Sequence, residues 1–177
     1  MIVVGLDLSL SSTGVALPGR TLALRTNLRG EARLAYQRRE LAILLKRVGP
    51  DLAVLEGYAY GANDAGSRAN TELGGVVRLL LYDLGIPYCV VNPTTLKLFA
   101  TGHGRASKDD MAMAARRHAA FDAPTDDEVD AWWCRVVGLH IAGRPPFPLP
   151  ERQRAALAKV AVPAGIRRRA HLMAAPS

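Results

Sequence analysis

The chain of 177 residues is poor in several things that would point to familiar classes of protein. It has only two cysteines, Cys89 and Cys134, far apart in apolar surroundings and at no zinc-ligand spacing. They read as small core hydrophobes of a reducing compartment, and a thiolate metal site or disulfide framework is excluded. No apolar run approaches the length needed to cross a bilayer. No basic n-region or cleavage site precedes the first strand-like stretch, so the expectation is a cytoplasmic protein without a membrane partner. Internal repeats are absent. The length fits one domain with an appendage.

What is present is a core and an uneven charge. Hydrophobic residues make up 49% of the chain, enough for a sizeable interior. Of the net charge of +7, residues 144–177 carry +6: Arg144, Arg152, Arg154, Lys159, Arg167, Arg168 and Arg169 stand against Glu151 alone. A nearly neutral body, residues 1–143, with a basic, proline-containing tail, residues 144–177, suggests a polyanionic partner, most simply nucleic acid. The plainer alternative is a solvated terminus.

Residues 2–8, 13–18 and 20–26 read as three consecutive strands with turns at Ser11–Ser12 and Pro18–Gly19. The apolar spacing of Leu34, Leu41, Leu45 and Val48 predicts a helix over 31–48, ended by Gly49–Pro50. A short strand follows at 52–56. A second helix carries Leu73, Val76, Val77, Leu80, Leu81 and Leu84, with Gly74–Gly75 inside it, a pair suited to close backbone approach. Another strand spans 87–91, and Asn92–Pro93–Thr94 starts a helix. Two further helices open with the capping boxes Ser107-x-x-Asp110 and Thr125-x-x-Glu128. The order is that of an α/β domain with a mixed central sheet, three antiparallel N-terminal strands and then parallel ones, flanked by helices.

Asp7 and Glu56 are each the polar end of an apolar strand. Ligands gather at the carboxyl ends of parallel strands, so two such acids on adjacent strands would share one sheet edge. In PTDDEVDAWWCRVV, acids in the first turn suit the helix macrodipole. Asp130 lies beyond that turn, beside an apolar stripe, and shares a face with Asp127. Convergent carboxylates must protonate or bind cations. Oxygen donors without His or Cys select hard ions such as Mg²⁺ or Mn²⁺, and two ions about 4 Å apart are a standard device for cleaving phosphodiesters.

Taken in order, GLDLSLSSTG, VLEGYAYG, ELGGVVR, VNPTTLKLFATGHGRASK and DDEVDAWW resemble the RuvC family of Holliday-junction resolvases, particularly its short phage-type members, over about residues 1–142. The resemblance implies an RNase H-like fold and a structure-selective endodeoxyribonuclease of DNA recombination and repair. Such an enzyme hydrolyses branched DNA, above all four-way junctions, with two Mg²⁺ (or Mn²⁺) ions, leaves 5′-phosphates and acts as a homodimer. A phage-encoded version would act in the host cytoplasm. The implied metal ligands are Asp7, Glu56, Asp127 and Asp130; Asp126 is a near neighbour, and helical phase favours Asp127.

Lys108 sits at a helix start, where a cation opposes the macrodipole and has no local motive. The matching family lysine holds the scissile phosphate. Lys97, and His103 and Arg105 in a glycine-bearing loop suggestive of mobility, are further candidates for DNA contact, as are Arg167, Arg168 and Arg169. The family places an aromatic wedge just past the strand-ending Glu; Tyr58 and Tyr60 lie there, at slightly different offsets. His140 and the Trp132–Trp133 pair read as core. Two other functions are compatible with parts of the pattern. A non-catalytic branched-DNA-binding protein would not need four intact acids. An actin-like or sugar-kinase-type ATPase shares the opening strand and turn but needs a second phosphate loop, which this chain lacks.

Overall fold

The computed structural model describes residues 1–57 and 65–166, except for the side chains of residues 65–70. Five strands form one sheet: β1 (Val3–Asp7), β2 (Ser12–Leu17), β3 (Arg20–Arg25), β4 (Leu52–Glu56) and β5 (Tyr88–Val91). Their spatial order is β3-β2-β1-β4-β5. β1, β2 and β3 are antiparallel neighbours, while β4 runs parallel to both β1 and β5. Helices α1 (Gly30–Val48) and α2 (Ala65–Asp83) provide the crossovers, and α3 (Pro93–Thr101), α4 (Lys108–Ala119) and α5 (Asp126–Ile141) follow. The mixed sheet matches the expected architecture.

Alternation along the strands divides the interior in two. Val4, Leu6, Ala53 and Leu55 point to the face covered by α1 and α2, where they meet Leu41, Leu45, Leu73, Val77 and Leu81. Val3, Leu52, Val54, Cys89 and Val91 point to the opposite face, with Phe99, Met111, Trp133 and Val137. By the period of two, Asp7 and Glu56 belong to this second face, the one crossed by α5. Parallel register sets Leu6 beside Leu55, so the two acids emerge together at one edge.

The helix starts show how local and tertiary demands compete. Asn92 caps α3 by accepting from the Thr94 amide at 2.9 Å, with Pro93 in the first turn. Both halves of the Ser107–Asp110 capping box form at α4. At α5, Thr125 accepts from the Glu128 amide, but the Glu128 carboxylate goes elsewhere. It accepts from the Thr21 hydroxyl of β3 at 2.8 Å and from the Thr125 hydroxyl at 3.2 Å. A distant strand therefore captures the acid that the sequence assigned to a box. Gly74 is buried, but a Cβ at Gly75 would meet nothing within 4 Å, so the close approach expected of the pair fails at Gly75.

Residues beyond Gly143 do not stand apart as far as they are described. A strap through α6 (Glu151–Ala155) and a 3₁₀ turn (Ala156–Lys159) lies along α3. It places Leu149, Ala156, Val160 and Ile166 in the α5-side core. The buried Gln153 side chain donates to the Phe99 carbonyl at 2.9 Å. Arg144, Arg152, Arg154 and Lys159 remain exposed, while Arg167, Arg168 and Arg169 lie outside the described residues.

Candidate active site

Two glycines bring α5 against the sheet. A Cβ at Gly5 of β1 would lie 2.0 Å from the Ala131 carbonyl oxygen, and one at Gly14 of β2 would lie 2.0 Å from that of Asp127. Only glycine leaves room for helix backbone there. Arg135 adds a tie, donating from Nε to the Val3 carbonyl at 3.0 Å. With the helix this close, Asp130 in its second turn descends between the strand ends that carry Asp7 and Glu56. One carboxylate oxygen from each of the three lies within 4.8 Å of the others.

Burial and mutual repulsion raise the proton affinity of all three carboxyls. Burial, reinforced by the charges of Asp130 and Asp127, pushes Asp7 up to about 7. Burial and the neighbouring Asp7 and Asp130 push Glu56 up to about 9. Asp130 is raised by burial despite its ion pair with Lys108. On Lys108, burial alone would favour the neutral amine, but Asp130, Asp7 and Glu56 together hold it more firmly protonated. The lysine thus has an electrostatic motive after all. Its partner is 22 residues away on α5, invisible to a reading of the helix start alone.

The other candidates distribute as follows. Asp127 is half-buried and acts on Asp7 through its charge, but it is not one of the three converging carboxylates. Asp126 is exposed and adds to the field on Asp130. Lys97 is half-buried on α3 and lowers the proton affinity of Glu56 and Asp130. His103 and Arg105 are exposed in the loop before α4. The glycines of that loop serve geometry: Gly102 caps α3 at φ 83°, and a Cβ at Gly104 would press on the Thr94 side chain at 2.9 Å. Tyr58 and Tyr60 lie outside the described residues.

Trp133 is fully buried, donating to the Met111 carbonyl at 3.1 Å, and Trp132 stacks on Phe121. His140 is held by rings, edge-on to Phe99; its buried Nε2 finds no hydrogen-bond partner among the described residues. Sequence reasoning missed Gly5, Gly14 and Thr21. The alternation Val3-Gly5-Asp7 holds the only clue: a strand glycine two residues before the acid marks a close approach on the acid's own face.

The donor set suits a hard divalent cation. It offers oxygen only, from three acids that repel one another unless protonated or bridged.

No protein-family model matches the chain. Among curated proteins, the crossover junction endodeoxyribonuclease RuvC of Anaeromyxobacter sp. (strain K) is 30% identical over 140 residues, covering 79% of this chain and 71% of that protein. RuvC of Acidobacterium capsulatum is 29% identical over 135 residues, 76% of this chain and 75% of the relative. RuvC of Synechococcus sp. (strain WH7803) is 31% identical over 102 residues, 56% of this chain and 66% of the relative. Among solved structures, T. thermophilus RuvC in complex with Holliday junction substrate superposes with a TM-score of 0.66 at 19% identity, covering 76% of this chain and 90% of that one. A second Thermus thermophilus RuvC structure gives a TM-score of 0.63 at 21% identity, covering 76% and 91%. These structural likenesses establish a shared fold.

Proposed function

The chain belongs to the RuvC family of crossover junction endodeoxyribonucleases, and from that membership we propose that it resolves four-way DNA junctions by metal-dependent hydrolysis of phosphodiesters. The observation that carries this reading is the convergence of Asp7, Glu56 and Asp130 from two strand ends and a helix, with Lys108 reaching the same point. A protein that only bound DNA would gain nothing from three acids that repel phosphate.

Asp7, Glu56 and Asp130 would hold Mg²⁺, with Mn²⁺ as a substitute, and Asp127, whose charge acts on Asp7, would extend the site to a second ion. The chemistry a bound pair supplies is an activated water and neutralisation of charge on the leaving 3′-oxygen, which yields 5′-phosphates. Lys108 would hand its charge from Asp130 to the scissile phosphate when cations occupy the acids. Lys97 would orient the same strand from α3.

Symmetric nicking of opposed strands needs two centres, hence a homodimer. What supports one is the outward stripe of α2, where Leu79 and Tyr82 are 58% and 81% exposed. A monomer in sedimentation analysis, at concentrations that saturate a junction, would oppose it.

The test is a labelled four-way junction incubated with and without Mg²⁺. Cleavage is expected with Mg²⁺ only, with ligatable 5′-phosphate ends. Asp130→Asn should abolish cutting while keeping junction binding in Ca²⁺. Near-normal cutting by that variant would overturn the carboxylate site.

A further inference from the structure

On the face of α4 opposite Lys108 lies an open cleft of about 550 Å³. Its walls are the α3–α4 loop, with Thr101, His103 and Arg105, and the outward face of α4, with Met113 and Arg117. We propose that this cleft anchors the phosphodiester backbone of one DNA arm, with Arg105 and Arg117 as its phosphate contacts. The assignment rests on the junction-nuclease reading and adds to it a subsite outside the reacting centre.

Charge is the first argument. Asp110 is the one acid in the lining, its Oδ2 accepting from the Ser107 amide and hydroxyl, both at 2.8 Å, so one negative charge stands against two arginines. The two arginines make no ion pair within 4.0 Å among the described residues. By contrast, the adjacent Arg116 points elsewhere and pairs with Asp122 at 3.0 Å. Adjacent arginines on one helix thus have different fates, one neutralised and one left facing the cleft. Guanidinium groups suit phosphate because they present a planar fork of donors.

Form and position are the second argument. The loop holding Arg105 is fixed by the Gly102 cap and the packing of Gly104, so the cleft is built before any ligand arrives. Arg105 precedes by three residues the lysine that meets Asp130. Arg117 lies nine residues, or about two and a half turns, beyond that lysine, and so faces away from it across α4. Backbone contacts of this kind fix where the arm lies while carrying no base sequence.

The test is the salt dependence of junction binding by the full chain in Ca²⁺. Arg117→Ala and Arg105→Ala should each reduce the slope of log K against log salt by about 0.9, equally for junctions of different sequence. Arg116→Ala, on the same helix, should leave the slope unchanged. Arg117→Gln keeps the side-chain length and should behave as the alanine variant. An unchanged slope for both Arg117 variants would overturn the anchor, as would an equal loss on replacing Arg116, which would mean diffuse attraction only. A wild-type protein that binds junctions but never cuts them would sink the nuclease reading and leave the anchor standing. One that binds neither junction nor linear duplex would sink both.

Discussion

Asp7, Glu56, Asp130 and Lys108 are the residues on which the chemistry would turn, and their charges pull in opposite directions until a cation arrives. Asp7 and Glu56 bind protons more tightly folded, near 7 and 9, than unfolded, near 3.8 and 4.5. Between those limits the folded state holds more protons, so stability falls as pH rises. In chelator, the melting temperature should therefore decline between about pH 5 and pH 9, and Glu56→Gln should flatten the decline. Mg²⁺ should raise the melting temperature most at the alkaline end, where the acids are free to bind it. A metal-free melting temperature that climbs with pH over this range would contradict the buried-acid picture. Lys108→Ala carries a separate expectation: single-turnover cleavage at saturating protein should slow by about a hundredfold, the loss of one charge contact in the transition state. Lys108→Gln should not restore the rate, and a wild-type rate in Lys108→Ala would reduce the lysine to a counter-ion for Asp130. The two strand-end acids were legible in the sequence because a carboxylate closing an apolar run is conspicuous. The motive of Lys108 was not, since its partner comes from another helix.

At the scale of elements, the site depends on how near α5 can lie to β1 and β2. Gly14→Ala would drive a Cβ into the Asp127 carbonyl oxygen, now 2.0 Å from where that atom would be, and Gly5→Ala would do the same at Ala131. Since both obstacles are backbone, relief requires the helix to move. We expect each variant to lose about 1–3 kcal/mol of stability, the usual cost of overpacking. Cleavage should fall as well, although no ligand or phosphate contact is deleted. Chemical denaturation alongside single-turnover cleavage would check this; full activity in Gly14→Ala would mean the carboxylates tolerate a displaced helix. The strand limits, the extent of α1 and the starts of α3, α4 and α5 were readable almost to the residue, because alternation, the 3.6-residue period and caps agreed. The exception is the bonding at the start of α5, where the capping-box pattern was right for Thr125 but Glu128 bonds Thr21 of β3. A local motif cannot disclose a competing partner 107 residues away.

For the molecule as a whole, the described part of the basic C-terminal segment packs into the core, a role that its composition did not show. Its arginines and prolines gave the look of an appendage, whereas its sparse apolar residues, at irregular spacing, gave no sign of docking. Yet Leu149, Val160 and Ile166 are 6%, 4% and 3% exposed against the α5-side core, and Gln153 holds the Phe99 carbonyl. Burial of each large aliphatic side chain contributes roughly 1.5–3 kcal/mol, so the strap's share of stability is several kcal/mol. A chain ending at Gly143 should accordingly melt well below the full chain and expose Phe99 and its neighbours, with a tendency to associate. The charge of the segment is better tested in the intact protein. Arg152 and Lys159 are exposed, so replacing both with Ser should leave the melting temperature within about a degree, as surface changes away from special features do. If the segment touches DNA, the same variant should bind junctions with a shallower salt slope, by about 0.9 for each phosphate contact removed. Equal slopes with equal melting temperatures would confine these two residues to solvent. A truncated chain that melts with the full one would deny the strap its place in the core.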